Sequence, residues 1–232
     1  MRKTLIKKGL TLALACIGAN GAFAQISKLQ YGLKAGVNYS QFNYSGNEVD
    51  DAAKDGSKGL LSFHFTGLVD IPVLPALSVQ PGLSLTGKGI KFELSYSSQS
   101  NLSETAGNIN IMYLELPINV VYKVKGLYFG AGPYAAYGIA GKIKFETTDK
   151  DLASGVITTT KSNEDISFGS DKDEDDFKSA DFGLNVLAGY QLKNGLNIGA
   201  NYGLGLSNIN TLGSSEYKQS NRVVSVSVGF MF

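Results

Sequence analysis

The chain is short of reactive side chains. Its 232 residues include one cysteine, Cys16, one histidine, His64, and no tryptophan. A single cysteine excludes a disulfide framework and a cysteine-built zinc site, both of which need spaced sets of cysteines. A single histidine leaves little for catalysis, which needs a base held beside a nucleophile and an orienting acid. No apolar run after the first residues reaches 18, so no membrane-crossing helix is expected. Lys+Arg number 21 and Asp+Glu 20, a balance with no basic patch to attract nucleic acid.

The first residues read as a leader. Arg2, Lys3, Lys7 and Lys8 precede an apolar run over 9–19, and Ala22-Phe23-Ala24 precedes Gln25. That is the pattern of a secretory signal peptide cut after Ala24. Lipoprotein processing at Cys16 is the weaker alternative, because Ala13-Leu14-Ala15 makes a poor lipobox. Losing residues 1–24 removes four of the 21 basic residues, the cysteine and no acids. The remaining 17 basic and 20 acidic residues give net −3. Residues 25–232 suit one domain.

What the chain does have is alternation. Over Phe182 to Leu206, Phe182, Leu184, Val186, Ala188, Tyr190 and Leu192 oppose Gly183, Asn185, Leu187, Gly189 and Gln191; the pattern resumes after Lys193-Asn194-Gly195. Side chains on a strand alternate between two faces, and Asn-Gly supplies the positive φ angles of a type I′ hairpin turn. The same period marks strands near 29–40, 61–71, 77–86, 112–124, 127–139 and 223–232. Pro72 and Pro75 are expected to end pairing, and Pro81 to sit at a bulge or an unpaired position. Polar stretches at 41–58, 93–108, 145–179 and 208–220 read as long loops. Eight strands joined by alternating long and short connections fit an all-β, eight-stranded antiparallel up-and-down transmembrane β-barrel.

The direction of the apolar face follows from what lies opposite. Glycines, amides and hydroxyls make a poor exterior for a soluble barrel, but suit a narrow eight-stranded lumen. A lysine facing lipid costs about 2–4 kcal/mol at the midplane. Parity sends Lys34, His64, Asp70, Glu115, Lys123 and Asp181 inward, where a structural polar network is expected. Tyr31, Tyr39, Tyr122, Tyr190 and Phe230 fall toward strand ends, as interfacial rings do.

The ordered motifs Gly32-Leu33-Lys34-Ala35-Gly36-Val37-Asn38, Val79-Gln80-Pro81-Gly82-Leu83, Tyr113-Leu114-Glu115-Leu116-Pro117, Gly130-Ala131-Gly132-Pro133-Tyr134 and Asp181-Phe182-Gly183-Leu184 resemble the outer membrane β-barrel family of Bacteroidetes that includes PorT-like proteins. The resemblance implies an eight-stranded outer-membrane barrel and, through PorT, a part in type IX secretion. Val228, Phe230 and Phe232 resemble the C-terminal signal read by the barrel-assembly machinery.

The other patterns are weaker. His64 is expected to pair with a lumen acid or tyrosine rather than to act as a base. Lys34, Asp70, Lys88, Glu115 and Lys123 are expected to plug the lumen rather than line a conduction path. Asp171, Asp173 and Asp175 resemble the start of a calcium loop, but Asp176 stands where glycine is needed and Phe182 where glutamate is. The expectation is therefore a non-enzymatic barrel without cofactor or metal. Its four outer loops would carry its contacts, with outer-membrane lipid or lipopolysaccharide around it and secretion-complex proteins as alternative partners.

Overall fold

The computed structural model describes residues 29–45, 56–171, 173–211 and 218–232. The leader and its cleavage site lie outside them. Nine strands run in chain order: β1 (Gln30–Ser45), β2 (Ser57–Leu74), β3 (Leu77–Ser97), β4 (Asn101–Val124), β5 (Leu127–Asp151), β6 (Ile157–Asp165), β7 (Ala180–Gln191), β8 (Leu196–Gly205) and β9 (Lys218–Met231). Every pairing between them is antiparallel. β1 pairs with both β2 and β9 and β4 with β5, so eight strands close into a ring, and among the described residues β6 stands outside it on β5 alone. Closure removes the open edges that hydrocarbon does not tolerate.

The faces divide as parity requires. Leu33, Val37, Leu61, Phe63, Phe65, Leu116, Phe129, Val186 and Val226 are about half exposed, all on the outside. Asn38, Ser40, Gln80, Ser84, Asn185 and Ser225 are buried inside. Small inward residues make room for large ones: a Cβ at Gly189 or Gly199 would collide with the Tyr128 hydroxyl.

Two expected loops are strands. Residues 93–108 form a hairpin that turns only at 98–100, and 145–165 form the top of β5 and all of β6. β4 is 24 residues long, more than twice the 9–11 that a bilayer needs. Beyond the ring, β3, β4, β5 and β6 therefore continue as a four-stranded sheet standing clear of the wall.

The turns also depart from the sequence reading. Lys193-Asn194-Gly195 is not a type I′ turn: the Gly195 amide donates to the Leu192 carbonyl, and of the three only Gly195 has a positive φ, at 92°. That is a type I-like turn closed by a left-handed glycine. The two-residue turn with both φ angles positive is Lys125-Gly126, at 51° and 89°. Pro72 does not end β2, since it still faces Ser78, with the register shifting between Pro72 and Leu74. Pro81 has no partner in β2: pairing passes from Leu68–Gly82 to Ile71–Val79 in unchanged register.

Candidate functional site

The lumen is built in layers, and each layer has its own chemistry. At the end with the short turns, Lys123 Nζ lies 2.6 Å from Asp70 Oδ2. Gln80 Nε2 donates to Asp70 Oδ1 at 2.8 Å, and Ser78 Oγ donates to Oδ2. Asp70 is 1% exposed, and an ammonium and two donors take the place of the water its carboxylate loses on burial.

Above it lies a chamber of about 110 Å³, lined by Lys34, His64, Glu115, Asn119, Tyr128 and Asn201 among others. It is large and polar enough to hold a few waters. Lys34 makes no ion pair among the described residues; its ammonium lies 5.2 Å from the Tyr128 ring centre. Among the described residues His64 hydrogen-bonds neither an acid nor a tyrosine. Its Nδ1 is 2.7 Å from Asn38 Oδ1, which also accepts from Ser225 Oγ. Asn38 Nδ2 is committed to Thr86 Oγ1 and the Gly87 carbonyl, so the network assigns the proton to His64 Nδ1. A histidine that donates to an amide oxygen is oriented, but this bond does not raise its basicity as a carboxylate would.

The third layer centres on Lys88. Its Nζ is 2.7 Å from Glu115 Oε2 and 3.0 Å from Asp181 Oδ2. Two aromatic rings complete the cage, Tyr134 at 4.2 Å and Tyr113 at 5.1 Å. Asp181, wholly buried, also accepts from Asn221 Nδ2 and Ser207 Oγ. One lysine thus joins β3, β4 and β7 from inside.

The fourth layer is apolar. Phe42, Ile90, Ile111, Ile166, Phe177 and Ile209 form one buried cluster with Phe168 packed against it. Phe168 bridges to Phe177, and Phe177 to Asn210. Part of the expected acidic loop thus folds back as a stopper over the ring. The acids themselves serve the turn: Asp175 accepts from the Asp171 amide, and Asp176 from the Ser167 amide. Among the described residues no three His, Cys, Asp or Glu are grouped to hold a metal.

The six inward charged or polar positions expected from parity are thus in the lumen, in two separate clusters with Lys34 and His64 between them. Lys88 lies at the centre of one cluster, beside Tyr113 and Tyr134 from the quoted motifs, whereas Asn221 was not singled out in the sequence. At the C-terminus, Val228, Phe230 and Phe232 face outward, half exposed, and the Phe232 amide donates to the Tyr31 carbonyl.

The family model described as "Outer membrane protein beta-barrel domain" matches residues 23–210. Among solved structures, the chain is similar to Ail, the attachment invasion locus protein of Yersinia pestis, at 12% identity over 89% of this chain and 100% of that one, with TM-score 0.38. It is also similar to Neisserial surface protein A, at 10% identity over 88% and 98%, TM-score 0.37. A third is the outer membrane protease OmpT from Escherichia coli, at 8% identity over 91% and 99%, TM-score 0.29. No curated protein matches.

Proposed function

We propose that this chain, which belongs to the outer membrane protein β-barrel domain family, is a non-enzymatic surface protein whose working part is the sheet standing above the ring. The observation that carries this reading is the edge of β6, which pairs with β5 alone among the described residues. The Ile166 amide donates to the Gly141 carbonyl, which sets the hydrogen-bonding parity of the β5–β6 ladder. Residues 158, 160, 162 and 164 therefore bond back to β5. The backbone groups of Ile157, Thr159, Lys161, Asn163 and Asp165 point away from the protein. Unpaired, proline-free strand edges are templates for another extended chain. The stoppered, charge-paired lumen speaks against a pore, and the amide-bound His64 against a catalytic base.

The test is a deletion strain complemented in two ways, with the full chain and with one whose residues 143–165 are replaced by Asn-Gly. The expected outcome is that both assemble in the outer membrane while only the full chain restores secretion and envelope integrity. Full rescue by the trimmed chain would remove the sheet from the function. Purified protein in planar bilayers is expected to give no stable conductance, and His64→Ala no envelope phenotype.

A PorT-like role as an accessory of type IX secretion is the second reading, favoured by the ordered motifs from Gly32 to Leu184. A secretion defect in the deletion strain, with a defined partner in cross-linked membranes, would support it. We also propose export with cleavage after Ala24; the N-terminal residue of the membrane-inserted protein should then be Gln25.

A further inference from the structure

The outward face of the projecting sheet sorts its charges by height. Strand register sets the rows. The row nearest the ring reads Asn110–Lys142–Asp165 across β4, β5 and β6, and the next Lys58–Lys91–Asn108–Lys144–Asn163 across β2 to β6. Further out come Glu93–Ala106–Glu146–Lys161 and Ser95–Glu104–Thr148–Thr159. The two near rows carry four lysines and one acid; the two rows above them carry three acids and one lysine, and the tip row Ser97–Leu102–Lys150–Ile157 adds one lysine. Charges placed only for solubility would be interspersed. These are segregated, with the positive side toward the membrane.

Within the near rows the pairing is uneven. Lys142 is held by Asp165 at 3.0 Å, and Lys58 by Glu93. Lys91 and Lys144 are exposed and make no ion pair among the described residues. They stand on β3 and β5, directly either side of Asn108 on β4. Two strand spacings put their backbones roughly 10 Å apart, so both side chains can converge on one group in front of Asn108. The apolar wall resumes four residues nearer the ring, at Met112 and Ala140, then Leu114 and Tyr137. Four residues of tilted strand are about 10 Å of height. A lysine side chain covers about 6 Å of that height, and the headgroup layer, about 5–7 Å deep, covers the rest.

We propose that Lys91 and Lys144, with Asn108 between them, form a binding site for the phosphate groups of an anionic glycolipid in the outer leaflet. The committed occupant is a membrane lipid because the stripe faces sideways at headgroup height, with the acid-bearing rows between it and the tip of the sheet. Each lysine near a charged membrane surface strengthens association about fivefold, and the pair about thirtyfold.

The test uses the full chain in phosphatidylethanolamine nanodiscs doped with bisphosphorylated lipid A or the same lipid stripped of phosphate, with retained lipid counted by native mass spectrometry. Wild type should retain the phosphorylated lipid, and Lys91→Gln/Lys144→Gln should lose about thirtyfold. Lys150→Gln, at the tip of the sheet, should change nothing. Lys91→Arg/Lys144→Arg keeps the charge and should keep retention, which separates loss of binding from loss of fold. Equal retention of both lipids by wild type, or an unchanged glutamine double variant, overturns the proposal. So does an equal loss in Lys150→Gln, which would mean diffuse attraction. A chain that enters no disc would instead refute the barrel placement itself.

Discussion

Lysine meets carboxylate both in the lumen and on the projecting sheet, and the two settings differ in nearly everything but the chemistry. The Lys88, Glu115 and Asp181 side chains are 4%, 12% and 0% exposed, whereas those of Lys161 and Glu146 are 72% and 48%. A buried ion must have its hydration replaced in full, and around Lys88 two carboxylates and two rings do so. An exposed pair is screened and loses side-chain entropy on forming, so it contributes little. The contrast indicates where sequence is constrained. The ring depends on particular partners, while the sheet depends on its strand edges and on which way its charges face.

Breaking the inner cluster should have the largest effect. Lys88→Met leaves two carboxylates facing each other without a cation, and removing one partner of a buried pair costs about 3–5 kcal/mol. The urea midpoint of the detergent-solubilised barrel, followed by heat-modifiable mobility, should fall accordingly. Adding Glu115→Gln and Asp181→Asn should recover most of the loss. A Lys88→Met midpoint equal to wild type would mean that water, not the lysine, balances those acids. By contrast, Lys161→Gln should shift the midpoint by at most about 1 kcal/mol.

Glycines sharpen the same comparison at the next level down. A Cβ at Gly132 would run into the Ile118 carbonyl of the neighbouring strand, while nothing lies within 4 Å of one at Gly155. Gly132→Ala should cost about 1–3 kcal/mol by overpacking. Gly155→Ala should cost about 1 kcal/mol, and for another reason: its φ of +71° disfavours any side chain. A smaller cost at Gly132 than at Gly155 would show that the wall gives way to the added methyl.

The same division explains what could be read in advance. In the wall one face meets lipid, so alternation is strict and parity alone sends Lys34, Asp70, Glu115, Lys123 and Asp181 inward. Above Ile143 and Phe145 both faces of β5 are wet, the alternation fades, and the stretch reads as loop. A β signal was still present in the threonines at 147, 148 and 158–160, because β-branched side chains favour strands whatever their polarity. The stopper was hidden for a different reason. Ile166, Phe168, Phe177 and Ile209 are scattered through polar sequence, and only the folded loops bring them together. His64 went to the lumen as parity required, but its partner, Asn38, comes from the register of β1 against β2 rather than from any local pattern.

The smallest expected effect belongs to the β5–β6 turn. Asp151 Oδ1 accepts from the Ser154 and Ala153 amides at 2.9 and 2.8 Å. These bonds favour the ionised form and hold its pKa below the ordinary 3.8, Ser154 contributing most. A carboxyl whose folded pKa is lowered contributes in full above its unfolded pKa, and the contribution disappears as pH falls through the folded value. Between pH 7 and 5 the turn should therefore be unchanged; well below pH 4, the amide protection factors of Ala153 and Ser154 should fall while those of the wall strands hold. Asp151→Asn keeps an acceptor oxygen but has no proton to gain, so its turn should exchange at a pH-independent protection factor. An Asp151 carboxyl titrating at 3.8 or above would show that the two amides do not hold it, and a wall that loosens in step with the turn would erase the distinction between the two regions.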